Sequence, residues 1–281
     1  MVLSKLAMAV ARSTGIVGYR GAGRIFRRLS HIPAFRDSEG VADLGARKIT
    51  FPAFDPYWAQ YLWTRKTYEP DVEAIFQALS PIPHKVLVDC GANIGFWTIK
   101  LSNPSYGFDR LIAVEANPYV FEYLRRNVQI NGLEVDCRHA AIAEESGHMV
   151  HIDGSQGHAV GVVGSVGTPV GTVSLRSLLD GIDGLAVVKL DVEGSEVPAI
   201  RGGESVRADV LYVYEDWPRS GLPVSVHLLG RGYSIIGVHP DGRSERLSSL
   251  EAIHDFNRRS APGYHPANLV ATRKPQLYPA P

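Results

Sequence analysis

The chain has 281 residues, 45% of them hydrophobic and 21% charged, with 29 Lys plus Arg against 29 Asp plus Glu. That is enough for one large α/β domain with an extension, and a formally neutral chain exerts no global pull on nucleic acid or an acidic membrane. The two cysteines, Cys90 and Cys137, lack the C-x-x-C spacing of a metal site and read as small buried hydrophobes of a reducing, cytoplasmic compartment, with no metal expected.

Between Met1 and Arg36 there are seven Lys or Arg and no acidic residue. No apolar run approaches the roughly 18 residues of a membrane-spanning helix, and Leu6–Val10 is too short for a secretory signal. The basic segment reads either as a helical cap with a solvated face or as an amphipathic helix in weak contact with a membrane surface. Residues 1–50 read as one or two helices broken by glycines. The following stretch is rich in aromatics (Phe54, Tyr57, Trp58, Tyr61, Trp63, Tyr68) and is expected to pack on the main domain. Asp71 to Leu79 reads as a helix with Val72, Ile75, Phe76 and Leu79 on one buried face. Together these elements make a helical and aromatic extension over residues 1–83.

After Pro83 strands alternate with helices, and this defines a main domain over 84–274. Val86–Cys90 is a nearly continuous apolar run, as a central parallel strand requires. A helix over Asn93–Leu101 and a strand over Leu111–Glu115 follow. Pro118–Ile130 is the clearest helix, with Pro in its first turn, Val120, Leu124 and Val128 on one face, and Asn131-Gly132 as a stop. Val135–His139 reads as a strand. Met149–Val173 is Gly-rich and β-branched, and reads as one or two hairpins inserted before the next strand, Leu185–Leu190. Then come a helix from Ser195 to Gly203, a strand over Val210–Tyr214, a helix near Val224–Leu229, a strand over Tyr233–Val238 and a last strand over Asn268–Thr272. The Pro-rich tail, 275–281, is expected to be disordered. Successive strand–helix units predict a mostly parallel sheet with right-handed crossovers.

In such sheets ligands sit beyond the carboxyl ends of the strands, where the winding direction switches. Three segments place polar groups there. Asp89-Cys-Gly91-Ala-Asn93-Ile-Gly95 runs from a strand into a tight turn, and Gly91 would let a ligand approach the backbone closely. Asn93 stands where the dinucleotide fingerprint has its second glycine, which disfavours a pyrophosphate and hence a nicotinamide cofactor. Asp89 favours a ligand with positive charge; S-adenosylmethionine has an ammonium and a sulfonium and no phosphate. Glu115-Ala-Asn117 ends the next strand about 20 residues on, placed for ribose hydroxyls. Lys189-Leu-Asp191-Val-Glu193-Gly-Ser-Glu196 gathers three carboxylates and a lysine at a third strand end, and Glu215-Asp216 adds acids on the adjacent strand. Ser195 and Glu196 read equally well as a helix cap.

These segments, with Tyr68-Glu69-Pro70 upstream and Tyr214-Glu215, resemble the FkbM family of S-adenosylmethionine-dependent methyltransferases over roughly residues 65–238. The resemblance implies an α/β, class I (Rossmann-like) methyltransferase sheet of seven strands, mostly parallel with the last strand antiparallel. It implies O-methylation of a hydroxyl on a sugar or polyketide-type product, so a small-molecule or glycan acceptor. Carried over by motif, Asp89, Gly91, Asn93 and Gly95 hold the methionine portion, Glu115 the ribose, Ala141 and Ile142 lie near the adenine, Asp191 sits by the transferring methyl, and Asn117 belongs to the donor-binding set. Ser174-Leu175-Arg176 departs from the acidic T-L-D-type segment common in the family. An alcohol acceptor must lose a proton; Asp191, Glu193 and Glu215 are the candidate bases, with His158 as an outsider. Other readings are N-methylation of a protein or small molecule, a magnesium-assisted variant, and a nucleoside-binding module without catalysis.

Overall fold

The computed structural model describes residues 32, 38–53, 55–65, 67–152, 163–164, 167–260 and 266–278. The basic N-terminal segment and His158 lie outside them. Within the stretch expected to be helical, the described part is a β-hairpin instead: β1 (Glu39–Asp43) pairs antiparallel with β2 (Lys48–Pro52). Residues alternate between exposed and buried along β1, and Ile49 and Phe51 of β2 are fully buried, so the period is that of a strand. The glycines read as helix breakers, Gly15, Gly18, Gly21 and Gly23, lie outside the described residues.

A short helix, α1 (Pro56–Ala59), capped by the Asp55 side chain, continues as a π-helical turn over Gln60–Arg65 and is followed by α2 (Pro70–Leu79). The main domain then runs β3 (Lys85–Cys90), α3 (Phe96–Leu101), β4 (Phe108–Glu115), α4 (Pro118–Ile130), β5 (Asp136–His139) and β6 (Ala141–Ile142). Next are β7 (Met149–Ile152), β8 (Val163–Gly164), β9 (Thr168–Val173) and α5 (Leu175–Leu178). The chain closes with β10 (Leu185–Leu190), α6 (Glu196–Gly203), β11 (Asp209–Glu215), α7 (Pro223–Gly230), β12 (Ser234–Val238), β13 (Ser244–Leu247), α8 (Leu250–Ser260) and β14 (Asn268–Thr272).

The central sheet has eight strands in the order β13-β12-β14-β11-β10-β3-β4-β5. The five from β11 to β5 are parallel, and β14 is antiparallel to both of its neighbours. The expected count of seven is therefore corrected. The additional strand, β13, is an edge strand of sequence Ser-Glu-Arg-Leu, too polar to be read as a strand, paired antiparallel to β12. The helix α8 behind it was also not anticipated; it buries Ile253, Phe256 and Asn257 on one face. The insert is not a free hairpin. It forms a small mixed sheet in the order β6-β9-β7-β8, because β9 pairs parallel with β6 (Ala141↔Thr172, Ile142↔Val173) while β7 pairs antiparallel with β9.

Strands β3, β4, β10 and β11 each feed two cores. Val187 of β10 faces the layer of Phe51, Trp58, Phe76 and Trp97, whereas Val188 faces the layer holding Ile200, Leu228 and Phe256. That two-sided burial is why these strands read as unbroken apolar runs. The hairpin docks through Asn127 of α4 and the helix's C-cap, Asn131, four residues apart and so on one side of the helix. Asn127 Nδ2 donates to Thr50 O (2.9 Å) and Ile94 O (2.8 Å), while its Oδ1 accepts from Thr50 N (2.7 Å). Asn131 Nδ2 donates to Lys48 O (2.7 Å), and its Oδ1 accepts from Lys48 N (2.9 Å). The tail is ordered at its start: Pro275–Leu277 make one 3₁₀ turn and Tyr278 is 2% exposed. Burying that ring offsets the entropy of fixing a few residues; residues 279–281 lie outside the described set. Both cysteines are free thiols, Cys90 buried and Cys137 half-buried.

Candidate functional site

The winding direction reverses between β3 and β10, which are adjacent and parallel although six strands separate them in the chain order. A cleft of about 900 Å³ opens over the carboxyl ends of β3, β4, β10 and β11, roofed by the stretch Tyr57–Asp71.

At the floor, the exits of β3 and β10 touch. Asp191 N donates to Cys90 O (3.0 Å), and Gly91 N and Ala92 N both donate to Val114 O (2.9 and 3.0 Å). Gly91 has φ +78°, and a Cβ there would stand 1.9 Å from the Asp191 carbonyl oxygen. The glycine is thus dictated by the protein's own backbone, where the motif reading had assigned it to a ligand. Gly95 does not line the cleft: a Cβ there would stand 2.7 Å from Leu124 Cδ1, so it lets α3 close on α4.

Asn93, also at positive φ, donates its backbone N–H to Glu115 Oε2 (2.8 Å), and Asn117 N donates to Glu115 Oε1 (2.7 Å). Burial pushes the Glu115 carboxyl up, and these amides pull it back. Each oxygen retains a lone pair for a further donor. Asn93 Oδ1 accepts from Ile94 N (2.9 Å) and from Trp58 Nε1 (3.2 Å), tying the roof to the turn. The Asn117 side chain is a helix cap: its Oδ1 accepts from Tyr119 N (3.0 Å) and Val120 N (3.4 Å). Asp89, 1% exposed, accepts from Thr98 Oγ1 (2.6 Å). Ala141 and Ile142, buried in β6, line the wall beside β4.

The acidic segment divides by role. Lys189 is 4% exposed and its Nζ donates to Asp191 Oδ2 (3.1 Å). Glu193 is exposed at the rim with φ +48°. Glu196 clamps its own loop, accepting from Val192 N (3.3 Å) and Gly194 N (2.9 Å). Asp216 caps α7 by accepting from Ser225 N (2.6 Å) and Val224 N (3.4 Å). Glu215 faces the cleft; burial, then the neighbouring Glu69 and Asp191 charges, push its carboxyl well above the usual range.

One site residue escaped the motif-based assignment of roles. Glu69 enters the cleft from the turn before α2, at φ +42°, and accepts from Trp97 Nε1 through Oε2 (2.6 Å). Asp71 pins that turn to the sheet: its Oδ2 accepts from Asn268 N (3.0 Å) and Nδ2 (3.1 Å), and Asn268 pairs with Glu215 in register. Burial pushes the Glu69 carboxyl up to about 7, the Asp191 charge adds to the rise, and Lys189 and the Trp97 N–H oppose it. The only legible signal was Tyr68-Glu69-Pro70, which the family resemblance included without a role. Beside it, Tyr57 OH donates to Tyr68 OH (3.0 Å), and Tyr61 packs edge-on against both rings.

A carboxyl with a raised folded-state pKa holds its proton more tightly folded than unfolded. Its favourable contribution is complete below the unfolded value and is lost as pH rises through about 7. Glu69→Gln keeps an acceptor for Trp97 and removes this penalty. The variant is expected to match wild type in melting temperature near pH 5 and to exceed it by a few degrees at pH 8, on the order of 1–3 kcal/mol. An identical gap at both pH values would mean that Glu69 does not titrate in this range.

Among the described residues no group of three or more His, Cys, Asp or Glu is arranged to hold a metal ion, and no helix is long and apolar enough to cross a membrane.

Residues 89–218 match the family model described as Methyltransferase FkbM domain, so the family likeness read from the motifs holds over that stretch, and the family implies methyl transfer. No curated protein sequence matches the chain. Among solved structures it is similar to a methyltransferase FkbM from Methylobacillus flagellatus KT, at 15% identity and a TM-score of 0.44, over 78% of this chain and 54% of that one. The chain thus spans about half the length of that relative. It is also similar to TYW2 of M. jannaschii in complex with AdoMet (13% identity, TM-score 0.40, 83% and 84% covered). A putative transferase from Pyrococcus horikoshii gives 15% identity, a TM-score of 0.42, and 84% and 72% covered.

Proposed function

We propose that this chain, whose residues 89–218 carry the FkbM methyltransferase domain, transfers a methyl group from S-adenosylmethionine to a hydroxyl of a sugar or polyketide-type molecule. The observation that carries the reading is the convergence of Glu115, the Gly91 turn and Asp191 on one cleft at the switch point of the sheet. The residues fit this donor. Glu115, fixed by two backbone amides, keeps lone pairs for a ribose diol, and Asp89 and Asp191 complement a cationic ligand. A pyrophosphate fits poorly, because the backbone N–H of Asn93 points at the Glu115 carboxylate. Free thiols at Cys90 and Cys137 accord with a reducing, cytoplasmic setting.

When bound, S-adenosylmethionine supplies a methyl group already activated on a sulfonium. The work left to the protein is to align the acceptor oxygen, exclude water and receive one proton. Asp191 stands where the donor side and the roof meet. Its Oδ2 is held by Lys189, and it lines the cleft, where its other oxygen can meet an acceptor hydroxyl. As the acceptor oxygen takes up the methyl group, that carboxylate would receive the hydroxyl proton. Glu215 lies within the same wall, and Glu193 stands at the rim.

The test is incubation of the full chain with S-adenosylmethionine and a panel of glycosylated and polyketide acceptors, read by mass spectrometry. A one-methyl increment on oxygen, matched by S-adenosylhomocysteine, is expected. Methyl found on nitrogen, or none with any hydroxyl acceptor, would contradict the assignment.

A further inference from the structure

The roof side of the cleft carries a charge imbalance that the donor does not explain. This inference rests on the proposed methyltransferase reading and concerns its acceptor. Three carboxylates face the space under the roof, Glu69, Asp191 and Glu215, against one buried ammonium, Lys189, which is bonded to Asp191. The other lining cation, Arg65, lies over the Tyr61 ring, 5.5 Å from its centroid. Glu69 receives a single indole N–H, and the Glu215 side chain accepts no hydrogen bond from a described residue although it is largely enclosed. Like charges gathered in a low-dielectric pocket are costly unless something in the working complex offsets them. Aromatic rings stand beside the carboxylates: Tyr57, Tyr61 and Tyr68 pack within 4.9 to 5.9 Å of one another between centroids. Carboxylate and ring faces together are the chemistry that recognises an ammonium.

We propose that the acceptor carries a protonated amine, held between Glu69 and Glu215 against the tyrosine wall, beside the hydroxyl that is methylated. The class of acceptor is an amino sugar or a comparable amino alcohol. The ammonium has three N–H donors to share between two carboxylates, and having no lone pair it is the anchor and not the methylated atom. Acceptors bearing phosphate or carboxylate are repelled by the same wall.

Burial favours the neutral form of two of these carboxyls. Glu69 is pushed up to about 7 and Glu215 well above its usual range, each chiefly by burial. The groups facing them are Lys189 from β10, Asp191 just after it, Asp71 from α2, and Tyr57 and Tyr68 from the roof. A bound ammonium replaces those protons, so its binding releases protons and tightens as pH rises through 7.

The test is calorimetry on the full chain, first saturated with S-adenosylhomocysteine and then titrated with 6-amino-6-deoxyglucose, glucose or glucose 6-phosphate, in phosphate and in MOPS at pH 7. The amine is expected to bind at least tenfold more tightly than glucose, with heats that differ between buffers by the proton released, and the phosphate not to bind. Glu69→Gln and Glu215→Gln should each reduce the amine to the affinity of glucose while leaving S-adenosylhomocysteine affinity unchanged. Equal binding of amine and glucose, a preference for the phosphate, no proton release or no binding of any sugar overturns the inference. Absence of S-adenosylhomocysteine binding would instead remove the methyltransferase reading on which it rests.

Discussion

Asp191→Ala is expected to reduce turnover by roughly 10²–10⁴-fold, the range that removal of a positioned proton acceptor commonly costs. The side chain is placed for this by the two groups around it: its backbone N–H is fixed to Cys90 O, and Lys189 holds one carboxylate oxygen at 3.1 Å. The variant also leaves Lys189 without its hydrogen-bonded partner. Because Asp191 is 36% exposed, solvent already screens the pair, and the stability loss is discounted to about 1–2 kcal/mol. Glu69 and Asp89 remain near the ammonium to limit it further. Asp191→Asn preserves the shape and should lose turnover to a similar degree while recovering part of that stability. Steady-state kinetics on a responsive acceptor, with a melting curve for each variant, separates the two effects. Near-normal kcat in Asp191→Ala would take the residue out of the chemistry, and a fall in donor affinity alone would make it a binding group.

Gly91→Ala is expected to have the largest structural effect of any single methyl addition in the cleft. The new Cβ would lie 1.9 Å from the Asp191 carbonyl oxygen, a backbone atom fixed by the adjoining strand ends. The φ of +78° adds strain of about 1–2 kcal/mol for a non-glycine residue. The turn must move, and with it the Asp191 N to Cys90 O bond and the register of β3 against β10 where both strands deliver their functional groups. A destabilisation above about 4 kcal/mol is expected, with loss of donor binding in whatever folds. Gly194→Ala is the control: its φ is +95°, but nothing lies within 4 Å of the added Cβ, so only the strain should be felt. Denaturant midpoints for the pair check this. Equal losses would show that the close approach does not constrain Gly91.

The parts of the fold legible in the sequence were those specified by neighbouring residues. Helix α4 announced itself through Pro118 in the first turn, a four-residue apolar repeat and Asn131-Gly132 as a stop. Strands β3 and β10 did so because both faces are covered, leaving no polar alternation. The hairpin β1–β2 was misread because each strand is only five residues long, and much of its support comes from Asn127 and Asn131, 77 and 83 residues away. The polar β13 and the sparsely apolar α8 gave weak patterns for a similar reason: an edge strand needs only one partner and α8 buries a single narrow face.

The site shows the same division. Asp89, Glu115 and Asp191 each end a strand, so topology alone brings them together. Glu69 belongs to no strand. Its place in the cleft depends on the Asp71–Asn268 contact, across 197 residues of chain, and on the Trp97 indole. No local spacing reveals such a contact. Asn117 and Gly95 show the converse: a helix cap and a helix-packing glycine lie in the same motifs as cleft-lining residues and look like them in sequence.

The most direct test of the account is a calorimetric titration of the wild-type chain and of Glu115→Ala with S-adenosylmethionine, with NAD as the competing ligand. One saturable site for S-adenosylmethionine is predicted, weakened about tenfold or more in Glu115→Ala through loss of hydrogen bonds to a charged acceptor, with no heat from NAD. No binding of S-adenosylmethionine, or equal binding by both proteins, would contradict the placement of the donor in this cleft.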